Sequence, residues 1–221
     1  MAVNFAITFG FFGFWHCALY LVGLSERPFN PTRNYRFSKV LHNMWYCFLG
    51  VVQMTIWEAI FMHCYATKRL PFMNDKEAFS NSWNITMFVL AAFWVPLYRE
   101  LHFYFAHRYK RLKKEYILKK YINVIIIKDI PIFRFIHIKA LYKYIHSLHH
   151  RNTDIEPFAG LCMHPVEHLY YFSSVGPSLL VFASPFAFMW NAIHLLISPA
   201  ASHSGWEDHF QSDQYHYLHH R

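Results

Sequence analysis

The sequence predicts an all-α integral membrane protein, a bundle of about four to five membrane-embedded helices beneath a cytosolic, histidine-rich helical cap. Three observations predict it. Uncharged apolar stretches recur along the 221-residue chain. The cationic residues gather in the segments between those stretches. Of 17 histidines, 14 fall between His102 and His220. Composition agrees: 55% of residues are hydrophobic and 20% aromatic, yet mean hydropathy is only +0.11, so the apolar residues must be concentrated.

Residues 3–24 carry no formal charge. At about 1.5 Å per residue this run crosses a hydrocarbon core of about 30 Å. It is too long for a signal-peptide core, and it lacks a basic flank and a small-residue cleavage site, so it reads as a retained anchor. A second apolar stretch runs from Met44 to Tyr65, broken by Gln53 and Glu58, and a third from Ser82 to Tyr98. Residues 1–98 thus form an N-terminal transmembrane region of three spans. A polar, His-rich segment, 99–169, comes next. Residues 170–200 are again apolar and contain Gly176, Pro177 and Pro185. They are too many for one comfortable span and few for two, and the Gly-Pro and Pro breaks predict a membrane hairpin. A second His-rich segment, 201–221, ends the sequence.

Charge sets the orientation. Residues 99–151 hold 13 of the 21 Lys and Arg against three acids, Glu100, Glu115 and Asp129. Beside membrane spans such an excess marks the cytosolic face, where anionic lipid attracts it; no nucleic-acid partner is expected. The nearly balanced loop 66–81 then lies on the opposite side. The loop 25–43, with Arg27, Arg33, Arg36 and Lys39, returns to the cytosol. A hairpin at 170–200 brings 201–221 back to the same face as 99–169. Both His-rich segments are therefore predicted to meet in the cytosol.

Other features carry less. Glu58 is costly in lipid and should face the bundle interior, for packing or for function. Asn84-Ile-Thr is a glycosylation sequon at the edge of a span, where modification is sterically disfavoured. Cys17, Cys47, Cys64 and Cys162 are far apart with no CxxC, which argues against cysteine ligands and a disulfide framework. Isolated histidines such as His16, His42 and His63 read as packing or interfacial residues, and His209 as a surface one.

The grouped histidines differ. His102 and His107 form HX4H, while His146, His149, His150 and His216, His219, His220 form two HX2HH triplets. On a helix, positions i, i+3 and i+4 fall within about 100° of one another, so each triplet projects from one face. His102 and His107 are about 140° apart and would have to straddle a site or use a local distortion. Imidazole suits iron, zinc, copper and nickel. Eight histidines in three boxes exceed one tetrahedral site, so a dinuclear centre is the natural count. The carboxylate-bridged di-iron pattern repeats Glu-x-x-His, which does not recur here, so the centre would be a histidine-rich alternative.

At these residues the chain resembles the fatty acid hydroxylase superfamily in its sterol desaturase branch. The resemblance covers 98–108 and 137–221. It is carried by Arg99-Glu100-Leu-His102 through His107-Arg108, Ile136-His137, His146 through Arg151, Gly160-Leu-Cys-Met-His164-Pro-Val-Glu-His168, His203-Ser-Gly and His216-Tyr-Leu-His219-His220. The HPxEH and HSG elements favour this branch over the acyl-lipid desaturases. The resemblance implies an endoplasmic-reticulum enzyme that uses two irons and dioxygen, with zinc able to take the same sites on overexpression. Its electron donor would be cytochrome b5 or a reductase, and its substrate a sterol, fatty acyl or other long alkyl lipid. The implied metal ligands are His102, His107, His146, His149, His150, His203, His216, His219 and His220. His137, His164 and His168 match family positions that are either ligands or structural hydrogen-bonding groups. Residues 99–221 become the catalytic region.

The chemistry is consistent with this. An unactivated C–H bond offers no handle for acid–base attack, so its oxidation needs a redox-active metal and oxygen. Two departures from the family pattern stand out. Residues 109–135 intervene where members pass quickly to the next histidine. They read either as a basic amphipathic helix on the membrane or, preferred because the pattern resumes at His137, as translated intron sequence. The sequence also stops at Arg221, where the family continues, which reads as a C-terminal truncation. These departures sustain a second reading, a catalytically inactive family member acting as a membrane scaffold or lipid-binding protein. A histidine-rich metal transporter is a third, opposed by boxes that lie outside the predicted spans. Hydroxylation is not distinguished from desaturation.

Overall fold

The structure is a computed structural model, and it describes residues 1–70, 73–107, 139–176, 184–207 and 212–221. The segment 109–135 and the histidines His137 and His209 lie outside the described residues. Among the described residues all regular structure is helical, apart from one isolated bridge between Pro28 and Trp206.

Helix α1 (Ala2–His16) continues as a π-helical turn over Cys17–Leu21, and α2 spans Phe37–Ala66. Both are long and apolar enough to cross a membrane. Only 33% and 28% of their most apolar windows are buried, so most of their side chains face outward rather than into a protein core. Phe14, Val22, Trp45 and Ile56 are among the exposed ones. The inward stripes have helical spacing: Asn4, Thr8, Phe12 and His16 on α1, and Val40, Asn43, Cys47, Val51, Met54 and Glu58 on α2. As expected, Glu58 faces the interior. Its carboxylate accepts a hydrogen bond from Asn4 Nδ2, which also donates to Thr55 Oγ1 at 3.1 Å.

After the short α3 (Asp75–Ala78), α4 runs from Ser82 to His107. The third apolar stretch and the HX4H box therefore share one helix, with Pro96 inside it. Asn84 sits in its first turn, its side-chain amide donating to Glu77 O and Ser80 Oγ. The first triplet lies on α5, a run of helical segments Lys139–Leu141, Tyr142–His146 (π) and Ser147–His150. A buried 3-10 turn, Pro157–Leu161, leads to α6 (Pro165–Phe172) and a further 3-10 turn, Ser173–Val175. Then come α7 (Pro185–Ser202) and α8 (Ser212–His220). Pro185 is the first residue of α7, and residues 177–183 of the expected hairpin lie outside the described residues. Helix α6 starts at Pro165, inside the polar segment, because His164 and Pro165 make a strong helix start.

The 3-10 turn Pro157–Leu161 is the centre of the packing, wedged among α1, α2 and α7. Phe158 and Leu161 join Phe12, Val51, Met54, Phe172, Phe188 and Leu195 in one apolar core. Gly160 is required there, since a Cβ would stand 2.5 Å from the Pro199 carbonyl oxygen. A carboxylate locks the turn to the spans. Glu156, 5% exposed, accepts from Asn43 Nδ2 at 2.8 Å and from its own Phe158 N–H at 3.0 Å, and pairs with His16 Nδ1 at 3.1 Å. His16 is therefore a packing residue, as expected. The α1–α2 connection packs on the segment after α7: Phe29 N–H donates to Gly205 O, and Glu207 N–H to Arg27 O. This connection and the second His-rich segment share one end of the molecule.

Candidate metal centre

Three chain segments bring six buried or half-buried imidazoles together. His146 and His149 are fully buried and His150 is 8% exposed, all on α5. His203 caps the C-terminus of α7, and His216 and His220 lie on α8. The six split into two groups. His149, His203, His216 and His220 place their ligating nitrogens within 4.8 Å of one another. His146 and His150 form the neighbouring pair, Nε2 to Nε2 at 3.0 Å. The rings of His150 and His220 link the groups at 5.0 Å between centroids.

The first triplet therefore divides, where the sequence reading had its three imidazoles project together. Helix geometry explains it. Residues i and i+4 are about 40° apart, but i+3 and i+4 are separated by about 100°. His146 and His150 consequently face each other, and His149 turns the other way. Its ring is 4.5 Å from that of His220 and 6.1 Å from that of His150.

Four of the six nitrogen pairs in the four-histidine group have distances like those around one ion. The Nε2 pairs are 3.4 Å for His149–His203, 3.2 Å for His203–His220, 3.0 Å for His203–His216 and 3.2 Å for His216–His220. A metal–nitrogen bond of 2.0–2.1 Å implies edges of about 3.4 Å in a tetrahedron and about 3.0 Å in an octahedron. The spacing fits a transition metal and does not choose among them.

Backbone carbonyls fix which nitrogen carries the proton in two of the rings. His203 Nδ1 faces Pro199 O at 2.9 Å, a carbonyl at the end of α7 where helix carbonyls lack intrahelical partners. His149 Nδ1 faces Cys162 O at 3.3 Å. A carbonyl can only accept, so both Nδ1 atoms carry the proton and both Nε2 atoms present lone pairs. Those two lone pairs face each other across 3.4 Å. Protonation of His216 or His220 can relieve contacts within their triangle but not this one. A cation between them turns the repulsion into two bonds, so the residues fit a metal.

Electrostatics supports the same state. Burial holds His146 and His149 down at about 4, and pushes His220 well below the usual imidazole range. All three are neutral near pH 7, as ligation requires. Glu167 of α6, buried, stands 2.6 Å from His146 Nδ1. Burial pushes its carboxyl up to about 7, with His149 and His164 opposing. Carboxylate partners of this kind orient ligand histidines and raise their basicity. Sequence reasoning gave Glu167 no such role; its place inside HPVEH among histidines was the available signal.

The remaining expected residues sort differently. His164 caps α6 by accepting from Val166 N–H at 3.2 Å. His168 is fully buried beneath the centre, its Nε2 at 3.0 Å from Leu161 O and its ring against Gly50 of α2. These contacts are of the structural hydrogen-bonding kind, one of the two alternatives expected of them. His102, His107 and His219 lie on described helices, but their side chains are outside the described residues, as is His137 entirely. His42 and His63 are exposed and apart from the cluster. The four cysteines are free thiols. In comparisons with protein families, with characterised proteins and with solved structures, nothing matches the chain.

Proposed function

We propose that the chain is a membrane-bound, oxygen-dependent lipid hydroxylase or desaturase with a histidine-ligated di-iron centre. The observation that carries this is the convergence of histidines from three segments, with His149 and His203 held by carbonyls so that two lone pairs face one point. Two lipid-length helices with outward apolar faces support placing that centre beside a bilayer. The sequence resemblance to the sterol desaturase branch of the fatty acid hydroxylases supplies the reaction class. In this reading α1, α2, α4 and the limbs around 170–200 make four to five membrane-embedded helices, and the histidines face the cytosol of the endoplasmic reticulum.

One ion would be held by His149, His203, His216 and His220. A second would be held by His146 and His150 with His102, His107 and His219, the remaining ligands that the family resemblance implies. When bound, the irons supply redox chemistry with dioxygen and electrons from cytochrome b5 or a reductase. The chain's own work is positional. Glu167 sets the tautomer of His146, the carbonyls of Cys162 and Pro199 set those of His149 and His203, and burial excludes water from the reacting carbon. The substrate, a sterol, fatty acyl or other long alkyl lipid, would reach the centre from the bilayer.

The test is metal analysis and lipid turnover on detergent-purified protein, with the native C-terminal continuation included where one exists. Two ions per chain are expected. His149→Ala and His219→Ala should abolish oxygen-dependent turnover without loss of membrane insertion, and His42→Ala should retain most activity. One ion or none in folded protein would overturn the dinuclear centre. Undiminished turnover in His149→Ala would make the triplets structural and favour a scaffold or lipid-binding role.

A further inference from the structure

A second polar site lies where α1 hands over to α2, on the same end of the molecule as the histidines. A small open-sided cavity, of about 20 Å³, is lined there by Arg33, Arg36 and Lys39, with Tyr35, Asp154 and Glu156. The three cations have no carboxylate within ion-pair distance among the described residues. Both neighbouring acids are committed elsewhere: Asp154 accepts from Asn30 Nδ2 at 2.7 Å, and Glu156 holds His16, Asn43 and the Phe158 N–H.

Arg33 is built in, unlike an ordinary surface arginine. Its guanidinium lies 4.2 Å from the Tyr20 ring centroid and 4.4 Å from that of Trp206. The two rings lie at 85° to each other with centroids 6.1 Å apart, so they flank the guanidinium on two adjacent sides, and Tyr20 is itself fixed by the Ile155 and Ser204 carbonyls at 2.7 and 2.9 Å. Contact with aromatic rings does not use up the N–H donors of a guanidinium. Its Nη1 is buried with no hydrogen-bond partner. Arg36 is the N-cap of α2 and supplies no side-chain cap, so the orphan N–H groups of that helix add positive potential beside the cavity. A preorganised fork, two further cations and a helix start together match the charge and donors of a phosphate group.

We propose that this cavity binds the phosphate of a phosphorylated lipid and thereby anchors the substrate beside the metal centre. Trp206, which clamps Arg33, follows His203 by three residues, so headgroup and centre are reached from one segment. The assignment of this ligand as substrate rests on the hydroxylase reading; the phosphate site does not.

Binding can be read without turnover. The metal-free full chain, in nanodiscs of uncharged and zwitterionic lipid, is titrated with lysophosphatidate, with the matching monoacylglycerol and with inorganic phosphate, using tryptophan fluorescence and native mass spectrometry. Lysophosphatidate should bind at least tenfold more tightly than either control, and added salt should weaken it. The double variant R36Q/K39Q, at exposed or half-buried positions, should lose at least tenfold. R33Q should lose more, and because Arg33 is packed against two rings the double variant keeps the test valid where R33Q fails to fold. Unchanged affinity in R36Q/K39Q would overturn the site. Inorganic phosphate binding as tightly as lysophosphatidate would overturn the lipid assignment. Metal content of R36Q/K39Q should equal that of the parent. Loss of the centre's metal or activity in the parent, with lysophosphatidate binding retained, would sink the hydroxylase reading alone.

Discussion

Glu167→Gln is the most discriminating change at the centre. It keeps the side chain's size and one acceptor oxygen and removes its capacity for negative charge. His146 Nδ1 lies 2.6 Å from Glu167 Oε1, and the two side chains are 0% and 2% exposed, so no water can take over the contact. Losing the carboxylate partner of a ligand histidine typically lowers metal affinity 10–100-fold, which is about 1.4–2.8 kcal/mol. The amide oxygen can still accept from Nδ1–H, so the loss should sit at the lower end, roughly tenfold to thirtyfold. Glu167→Ala should do more. It leaves a buried imidazole nitrogen without its acceptor, a cost of about 1–3 kcal/mol to the fold, besides a cavity.

Competition with a chelator of known affinity, on detergent-purified protein, reads affinity and stoichiometry in one titration. Thermal unfolding of the metal-free variants reads the fold separately. The Gln variant should lose affinity with little change in metal-free stability, and the Ala variant should lose both. Wild-type affinity and stoichiometry in both variants would refute the reasoning, because His146 could not then be a ligand tuned by Glu167.

Two further predictions follow from the same geometry. Metal-free protein should lose stability as pH falls from about 6.5 towards 4. In that window the unfolded chain takes up protons that buried His146, His149 and His168, held at about 4, refuse; Glu167, raised to about 7, opposes with a single proton. An unfolding midpoint that rises or stays level over that range would contradict the burial of these groups. Tags in the loop 66–81 and after Arg221 should be cut by protease from opposite sides of sealed vesicles. Cleavage of both from one side would contradict the topology.

Some of this was legible in the sequence because it depends on local spacing. An uncharged run of 22 residues at 3–24 has few alternatives to an apolar helix, and α1 follows it from Ala2 to Leu21. Pro185 could not sit inside a regular helix without cost, and it stands at the first position of α7. The i, i+4 pairs His146–His150 and His216–His220 meet because one turn of helix brings them together. What spacing does not encode is contact between distant segments. Glu156 reaches His16 across 140 residues and Asn43 across 113, and nothing in an isolated Asp-Ile-Glu-Pro stretch announces it.

The carbonyls of Cys162 and Pro199 are the deeper case, since every residue has one. Which carbonyl fixes a tautomer depends on where a helix ends, and α7 ends so that the Pro199 carbonyl meets His203. The division of the first triplet was derivable all the same. Counting histidines within a box treats three neighbours as one unit, but 100° per residue makes i+3 and i+4 point apart. A triplet of this spacing is suited to bridging two adjacent ions rather than surrounding one. His149 on one side, with His146 and His150 on the other, follow that division. The same period applied to α8 places His216 with His220, and their rings meet at 4.9 Å between centroids.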